Sequence, residues 1–419
     1  MKISPKLTVV IPTIQRPDTL YWTIKTVIEQ QYENFAVIVS DNFSNDNTLE
    51  VVNSFSDPRI TYINPGMRLS MSRHWEFALE HVHEGFVTIL GDDDGLIPGA
   101  LATAASLLSK HAVEAIGWRF GNYNWPGLNP HFMIPMGNYY RIVDSKQEIQ
   151  KIFSKSIIHS IQFPSLYGGF ISIELIRKLK ADFGGQFFHS RIPDFYSSSV
   201  VAASTKKYIR LEFPLSINAT SKHSTGYATV NAKVDQKAIN DLKLNKDNLP
   251  FHSSIVFLKS INIAIADALL QAHDKIPSFP APDIKKVIAN TLYEAQHCGN
   301  EDKYNELIEG IIQIAEKNHL LPYAKDLITK APFLQHFEAG VKNKYSPISE
   351  TIYLDTRELN IRNVYDACQV VKRTILPHHF RYSNGIQKII SRIQQVIRYI
   401  YLRKTFFPSL HMSTVDKKS

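Results

Sequence analysis

Three consecutive aspartates, Asp92, Asp93 and Asp94, follow the apolar run Phe86-Val87-Thr88-Ile89-Leu90 after a single glycine. Carboxylates held this closely repel one another, which raises their pKa values unless positive charge sits among them. A hard divalent cation such as Mg2+ or Mn2+ supplies that charge when one or two carboxylates hold it together with phosphate oxygens of a substrate. The plainer reading is a solvated acidic turn, with Asp93 or Asp94 capping a helix that begins near Pro98. That reading loses ground because two other apolar runs also end on polar residues, Thr13 after one and Asp41 after the other.

The elements that position these residues follow from periodicity. Leu7-Thr8-Val9-Val10-Ile11, Phe35-Ala36-Val37-Ile38-Val39, Ile60-Thr61-Tyr62-Ile63 and Phe86 to Leu90 read as buried strands. Between them lie helical patterns: Leu20, Ile24, Val27 and Ile28 behind Pro17, a short stretch from Thr48 to Phe55, and Trp75, Leu79 and Val82 within Ser70 to His83. Strands alternating with helices imply βαβ units and a mostly parallel sheet. Ligands of such sheets bind beyond the carboxyl ends of the strands. Here those ends carry Pro12-Thr13, Asp41-Asn42, Asn64-Pro65-Gly66 and Asp92-Asp93-Asp94.

Composition bounds the rest. A chain of 419 residues, 44% hydrophobic and 21% charged, has material for two or three globular domains. Two cysteines, Cys298 and Cys368, exclude a disulfide framework and a structural zinc site. The first apolar run stops at Pro12, too short for a signal-peptide core, and no stretch has the roughly 18 apolar residues that a bilayer span needs. The expectation is a soluble or peripheral protein in a reducing compartment. Lys and Arg exceed Asp and Glu, 47 against 39, but the excess is local. From Arg373 onward nine basic residues face one acid, Asp416, so the first 372 residues balance. Within that tail, Asn384 to Phe406 has Ile386, Ile389, Ile390, Ile393, Val396, Ile397, Ile400 and Tyr401 at helical spacing, accompanied by Lys388, Arg392, Arg398, Arg403 and Lys404. A basic amphipathic helix of this kind suits an anionic bilayer surface; the alternative is a helix packed on its own domain or on another subunit.

Residues 7–101 resemble the donor-binding half of a family 2 glycosyltransferase with the GT-A fold. The segments that carry the resemblance are Val9-Val10-Ile11-Pro12-Thr13 with Arg16-Pro17, and Val39-Ser40-Asp41-Asn42 with Ser44 and Asp46. To these are added Ser72-Arg73-His74-Trp75 and Leu90 to Asp94 leading into Pro98-Gly99-Ala100-Leu101. The resemblance loosens toward residue 226 and ends there. It implies an α/β GT-A domain, Rossmann-like with a mostly parallel central sheet, followed by a mainly α-helical C-terminal region. It also implies that Pro12, Thr13 and Arg16 line the nucleotide, and that Asp41 accepts from a uracil imide, with Asn42, Ser44 and Arg73 beside it. Asn42 stands where the family usually has a second acid. Asp92 and Asp94 fit the spacing of the family's metal-holding Asp-x-Asp element, but the commoner Leu-Asp-x-Asp-Asp alignment puts Gly91 first and makes Asp93 central. All three remain as metal candidates, Asp94 and Asp93 ahead of Asp92, with His223 from a late loop as a third ligand.

An inverting sugar transfer needs a base on the face opposite the leaving diphosphate, from a segment other than the metal motif. The family supplies it about 100 residues later at a helix start, which points to Asp194 in Arg191-Ile192-Pro193-Asp194-Phe195-Tyr196, with Asp182 as a weaker competitor. An ordinary N-cap is the bland reading of Asp194. Tyr167-Gly168-Gly169-Phe170 resembles the acceptor-side turn, Ser221 to Gly226 is a polar basic loop suited to covering a diphosphate, and Trp118, Tyr123 and Trp125 are candidates for stacking on sugars. The resemblance implies a UDP-sugar or other nucleotide-sugar donor, Mn2+ or Mg2+, and a glycan or lipid-linked acceptor in bacterial surface polysaccharide synthesis. It places the protein in the cytoplasm, peripheral on the inner face of the plasma membrane, with self-association admitted. Nucleic acid is a poor fit, because the strand ends are acidic. Two rival readings are a sugar-1-phosphate nucleotidylyltransferase, which would want glycines where Pro12 to Arg16 has none, and a non-catalytic scaffold. The expected organisation is a GT-A domain over 1–226, divided at 101 into donor and acceptor halves, a linker over 227–250, a helical domain over 251–372 and a basic tail over 373–419.

Overall fold

The computed structural model describes residues 4–155, 162–224, 247–334, 343–377, 379–383 and 385–412. Most of the expected linker, and Lys417 and Lys418 of the tail, lie outside the described residues.

Four strands, β1 (Leu7–Thr13), β2 (Phe35–Asp41), β3 (Ile60–Ile63) and β4 (Phe86–Ile89), run parallel in the order β3-β2-β1-β4. Their crossovers contain α1 (Pro17–Ile28), α2 (Thr48–Asn53) and α3 (Met71–Glu80). Leu7 pairs with both Phe35 and Phe86, and Thr13 with Asp41, so the carboxyl ends fall in one row. Both faces of the sheet are covered, as the period of two shows. Leu7, Val9 and Ile11 enter one core, while Val10 enters the other with Ile38 and Val87. Pro17 opens α1 at a position where its missing N–H costs nothing, and Leu20, Ile24 and Val27 point inward.

After β4 the chain changes sheets. β5 (Gly95–Leu96) belongs to a second sheet, and the aspartate triplet is the crossing. There follow α4 (Ala100–Lys110), β6 (Ala115–Trp118), β7 (Gly121–Asn124), β8 (Phe132–Pro135), β9 (Tyr139–Asp144) and α5 (Ser145–Lys155). Next come β10 (Gly169–Ser172), α6 (Ile173–Asp182), α7 (Pro193–Ser204), β11 (Lys207–Leu211) and β12 (Ser216–Thr220). The stretch that looks irregular in sequence is therefore rich in strands. They are two to six residues long and mostly buried, too short for a period to show.

Four helices form the next layer: α8 (Ile261–Lys275), α9 (Ile284–Gln296), α10 (Glu301–Lys317) and α11 (Leu321–Thr329), with α8 lying on α7. Ser260, Asp283 and Asn300 cap the first three through their side chains. Helical packing extends to Thr329 rather than to 372, because the chain then returns to the N-terminal region. β13 (Lys344–Ser346) and β14 (Thr351–Leu354) enter the second sheet, β14 antiparallel to β8. After them come α12 (Val364–Val370), a π-helical turn over Val371–Ile375, β15 (Arg381–Tyr382), α13 (Gly385–Thr405) and β16 (His411–Met412). The completed sheets have nine strands, β15-β9-β11-β6-β10-β4-β1-β2-β3, and seven, β16-β13-β14-β8-β7-β12-β5. No helix among the described residues is long and apolar enough to cross a membrane.

α12 packs against α1 and β5 directly behind the aspartates. A Cβ on Gly95 would lie 2.8 Å from Cys368 Sγ and 2.9 Å from Val364 Cγ2. Gly95→Ala is therefore expected to lower unfolding free energy by about 1–3 kcal/mol through overpacking. Cys368→Ala in the same chain should recover part of the loss. Simple additivity of the two substitutions in denaturant titrations would show that this contact is not the cause.

Candidate active site

The crossing from β4 to β5 turns the three aspartates in three directions. Asp92 accepts from Thr13 Oγ1 at 2.8 Å and from Arg16 Nη1 at 2.9 Å, and the other Arg16 nitrogen donates to the His223 carbonyl. Burial opposes charge on Arg16, but Asp92 and Asp93 outweigh it and hold the guanidinium pKa above its ordinary value. Burial also pushes the Asp92 carboxyl up, against the pull of Arg16. Asp93 Oδ2 accepts from the hydroxyls of Ser221 at 2.7 Å and Ser224 at 2.5 Å, while its carbonyl accepts from Trp125 Nε1 at 2.9 Å. Asp94 is fully buried. Its Oδ1 accepts from the Ala219 N–H at 2.7 Å, and its Oδ2 accepts from the Gly91 N–H at 3.0 Å and the Tyr167 hydroxyl at 2.5 Å. Burial, followed by the charge of Asp93, pushes its pKa up to about 8.

This division of partners assigns different work to each. Asp94 ties the crossing to β12 and to the turn before β10. Asp93 meets only hydroxyls at one oxygen, and among the described residues no group donates to its Oδ1. Hydroxyl donors rotate away at little cost, so Asp93 is the member of the triplet suited to a hard cation, with Asp92 beside it. Among the described residues no three His, Cys, Asp or Glu side chains surround a common point. The His223 ring is thus not brought into a ligand set with the aspartates; it is the main chain of this residue that meets Arg16. A cation here needs substrate oxygens to complete its shell, which is the usual habit of Mg2+ at phosphates.

The residues expected to line a nucleotide lie at the ends of β1 and β2. Asp41, buried, accepts from the Ser44 N–H at 3.1 Å and its hydroxyl at 2.5 Å, and from the Tyr62 hydroxyl at 2.7 Å. Ser44 Oγ accepts in turn from the Gln15 N–H at 2.8 Å. Gln15 and Phe43 have φ of +54° and +62°, a conformation that costs a non-glycine residue about 1–2 kcal/mol and that gathers at binding sites. Asn42 is held to the Leu69 main chain in both directions, at 2.8 and 2.9 Å, which braces the loop. Arg73 Nη1 donates to Gln186 Oε1 at 2.7 Å, tying α3 to the loop before α7. Beneath β2, buried His74 meets Ser40 Oγ at 2.8 Å, and burial lowers its pKa to about 4, so it is neutral.

Asp194 occupies the second position of α7, behind Pro193, and is half-buried. Burial raises its pKa to about 6, moderated by the main-chain N–H groups of Asp194 and Phe195. Burial above all, then the charges of Asp94 and Asp93 and, last, that of Asp194, push the pKa of the Tyr167 hydroxyl up. Asp182 sits exposed at the end of α6. Tyr167 stacks on Trp75 at 6.4 Å between ring centroids, and Gly168, at φ +95°, leaves room that a Cβ would take from the Phe120 ring. Trp118 and Tyr123 are core residues; Trp125, partly exposed, stands at Asp93. The hydrogen bonds of Tyr62 to Asp41 and of Tyr167 to Asp94 carry no signal in sequence, since each joins residues from different elements.

Residues 8–166 match the family model described as Glycosyl transferase family 2. Over these residues the chain is similar to a family 2 glycosyltransferase domain, and the strand order above is the mixed, mostly parallel sheet that the resemblance implies. A GalNAc(5)-diNAcBac-PP-undecaprenol beta-1,3-glucosyltransferase of Campylobacter jejuni is 36% identical over 121 residues, covering 28% of this chain and 38% of that protein. The Escherichia coli UDP-Glc:alpha-D-GlcNAc-diphosphoundecaprenol beta-1,3-glucosyltransferase WfgD is 28% identical over 117 residues, covering 28% of this chain and 45% of its own length. The chain thus spans less than half of these two curated relatives. S. aureus TarS 1–349 in complex with UDP-GlcNAc aligns with 81% of this chain and 96% of its own at 14% identity and a TM-score of 0.46.

Tyr167→Phe removes one of the three donors to a buried carboxylate, which should cost about 1–3 kcal/mol of stability. A thermal unfolding midpoint equal to that of the parent protein would show that the hydroxyl does not brace Asp94.

Proposed function

We propose that this chain is an inverting glycosyltransferase. It moves a sugar from a nucleotide-sugar, a UDP-sugar foremost, to a hydroxyl of a lipid-linked glycan during bacterial surface polysaccharide synthesis. The observation that carries the reading is the shared edge: Asp41 ends β2 beside Thr13 at the end of β1, and Thr13 and Arg16 bind Asp92 next to Asp93. The names of the two curated relatives support the donor and acceptor classes, both being glucosyltransferases acting on diphosphoundecaprenol-linked sugars and one naming UDP-Glc.

In this reading residues 1–101 hold the donor and 102–226 the acceptor, while the helical layer braces α7 and hence Asp194. Asp41 accepts from the base, and Pro12, Thr13 and Ser44 shape the pocket around it. Asp93, with Asp92 beside it, would hold Mn2+ or Mg2+, whose chemistry here is to neutralise charge on the departing diphosphate. Arg16 brings a second positive charge to the same place. Asp194 takes the proton of the acceptor hydroxyl as its oxygen attacks the anomeric carbon opposite the diphosphate. Because the acceptor is lipid-linked, the enzyme works at the inner face of the plasma membrane.

Nucleotide release from UDP-sugars in the presence of Mn2+ and an acceptor tests the reading, and its absence across donors would reject it. Asp194→Asn should lower turnover at least about 100-fold while donor binding persists. The base acts when ionised, so with its pKa near 6 the parent rate should fall about tenfold per pH unit below that value and level off above it. Asp93→Asn should abolish the Mn2+-dependent part of the thermal stabilisation by nucleotide. Retention of that part would move the ligand role elsewhere.

A further inference from the structure

α13 docks the wrong way round for an amphipathic helix. The face it turns to the protein is mostly polar or aromatic. Ser391 Oγ donates to Asn138 Oδ1 at 2.7 Å, Gln395 is buried, Tyr399 stacks on Tyr345 at 5.0 Å, and Leu402 completes the seam. Arg392 reaches Glu350 at 3.3 Å, and the Arg398 guanidinium donates to the Ile375 carbonyl. Four isoleucines face outward instead. Ile390, Ile393, Ile397 and Ile400 are 46%, 58%, 63% and 46% exposed, and Tyr401 is 57% exposed. Spaced by three and four residues, they form one ridge about 15 Å long at 1.5 Å per residue.

Lys404 falls on the line of this ridge, seven residues past Ile397; Arg403 flanks it, and the half-exposed Phe406 follows. From Arg373 to Val415 the sequence has no acid. A second copy meeting this face across a two-fold axis would set one acid-free basic segment against another, which like-charge repulsion disfavours. An anionic lipid surface answers both halves of the pattern. Isoleucines and aromatics enter the boundary between headgroups and acyl chains, and the lysine and arginine remain among the phosphates.

We propose that the outward isoleucine ridge of α13 is a docking surface for an anionic bilayer. The proposal names the surface at which a lipid-borne acceptor would be met and in that sense deepens the reading above, but its evidence is confined to α13. The test uses the full chain and vesicles of phosphatidylcholine alone or with phosphatidylglycerol, in the absence of donor and acceptor. The parent protein should co-sediment with the anionic vesicles, and less so as salt rises. Ile393→Asp with Ile397→Asp should lower the partition coefficient at least about tenfold, and Arg403→Glu with Lys404→Glu should remove the preference for phosphatidylglycerol. These positions are exposed, so thermal midpoint and nucleotide release from a soluble acceptor assay should stay at parental values. Parent protein that ignores anionic vesicles, or an Ile393→Asp/Ile397→Asp variant that partitions as the parent does, overturns the proposal. So does a variant that splits a dimer in light scattering with no change in vesicle binding, which would give the ridge to a second copy. Vesicle binding without any sugar transfer would leave the docking surface standing and defeat the transferase reading alone.

Discussion

Burying three adjacent carboxylates is costly for any fold, since each loses hydration and each raises the energy of the next. Here the chain answers by giving every one its own set of donors. Arg16 and Thr13 serve Asp92, Ser221 and Ser224 serve Asp93, and two main-chain N–H groups with the Tyr167 hydroxyl serve Asp94. Much of the architecture is arranged around that requirement. β12 must arrive beside β5 to offer the Ala219 N–H, the chain must turn tightly at Gly168 to present Tyr167, and α1 must start at Pro17 to keep Arg16 at the sheet edge.

The same requirement separates holding the loop from holding a ligand. A carboxylate engaged by amide N–H groups is fixed in place, whereas one engaged by serine hydroxyls, which rotate, exchanges partners readily. Asp94 and Asp93 are adjacent in sequence and differ in the donors that hold them. Sequence spacing therefore leaves the register of the acidic motif open, while the donors around each side chain distinguish its members.

The first four parallel strands were legible in sequence because they are apolar runs of four to seven residues separated by helices with a clear period, and because the polar residues that end them are few. The helix start ahead of Asp194 was legible from Pro193. The second sheet was not. Its strands are two to five residues long and come from widely separated parts of the chain, so Leu354 and Phe132 are neighbours that no local pattern announces. Asn42 and Arg73 were drawn to the donor by resemblance, yet both make hydrogen bonds that brace loops. The tail was read correctly as an amphipathic helix, but which face meets the protein depends on Tyr345 and Asn138, residues remote from it in sequence.

α12 has a consequence for how this chain can be divided. It carries none of the acidic or basic groups discussed at the site, yet Cys368 and Val364 form the wall behind Gly95, and β14 supplies the neighbour that β8 would otherwise lack. A fragment cut where the helical layer stops would retain Asp92, Asp93, Asp94 and Asp194 while exposing the rear of the aspartate crossing to water. The smallest piece that contains the motifs is thus smaller than the smallest piece that can keep them dry.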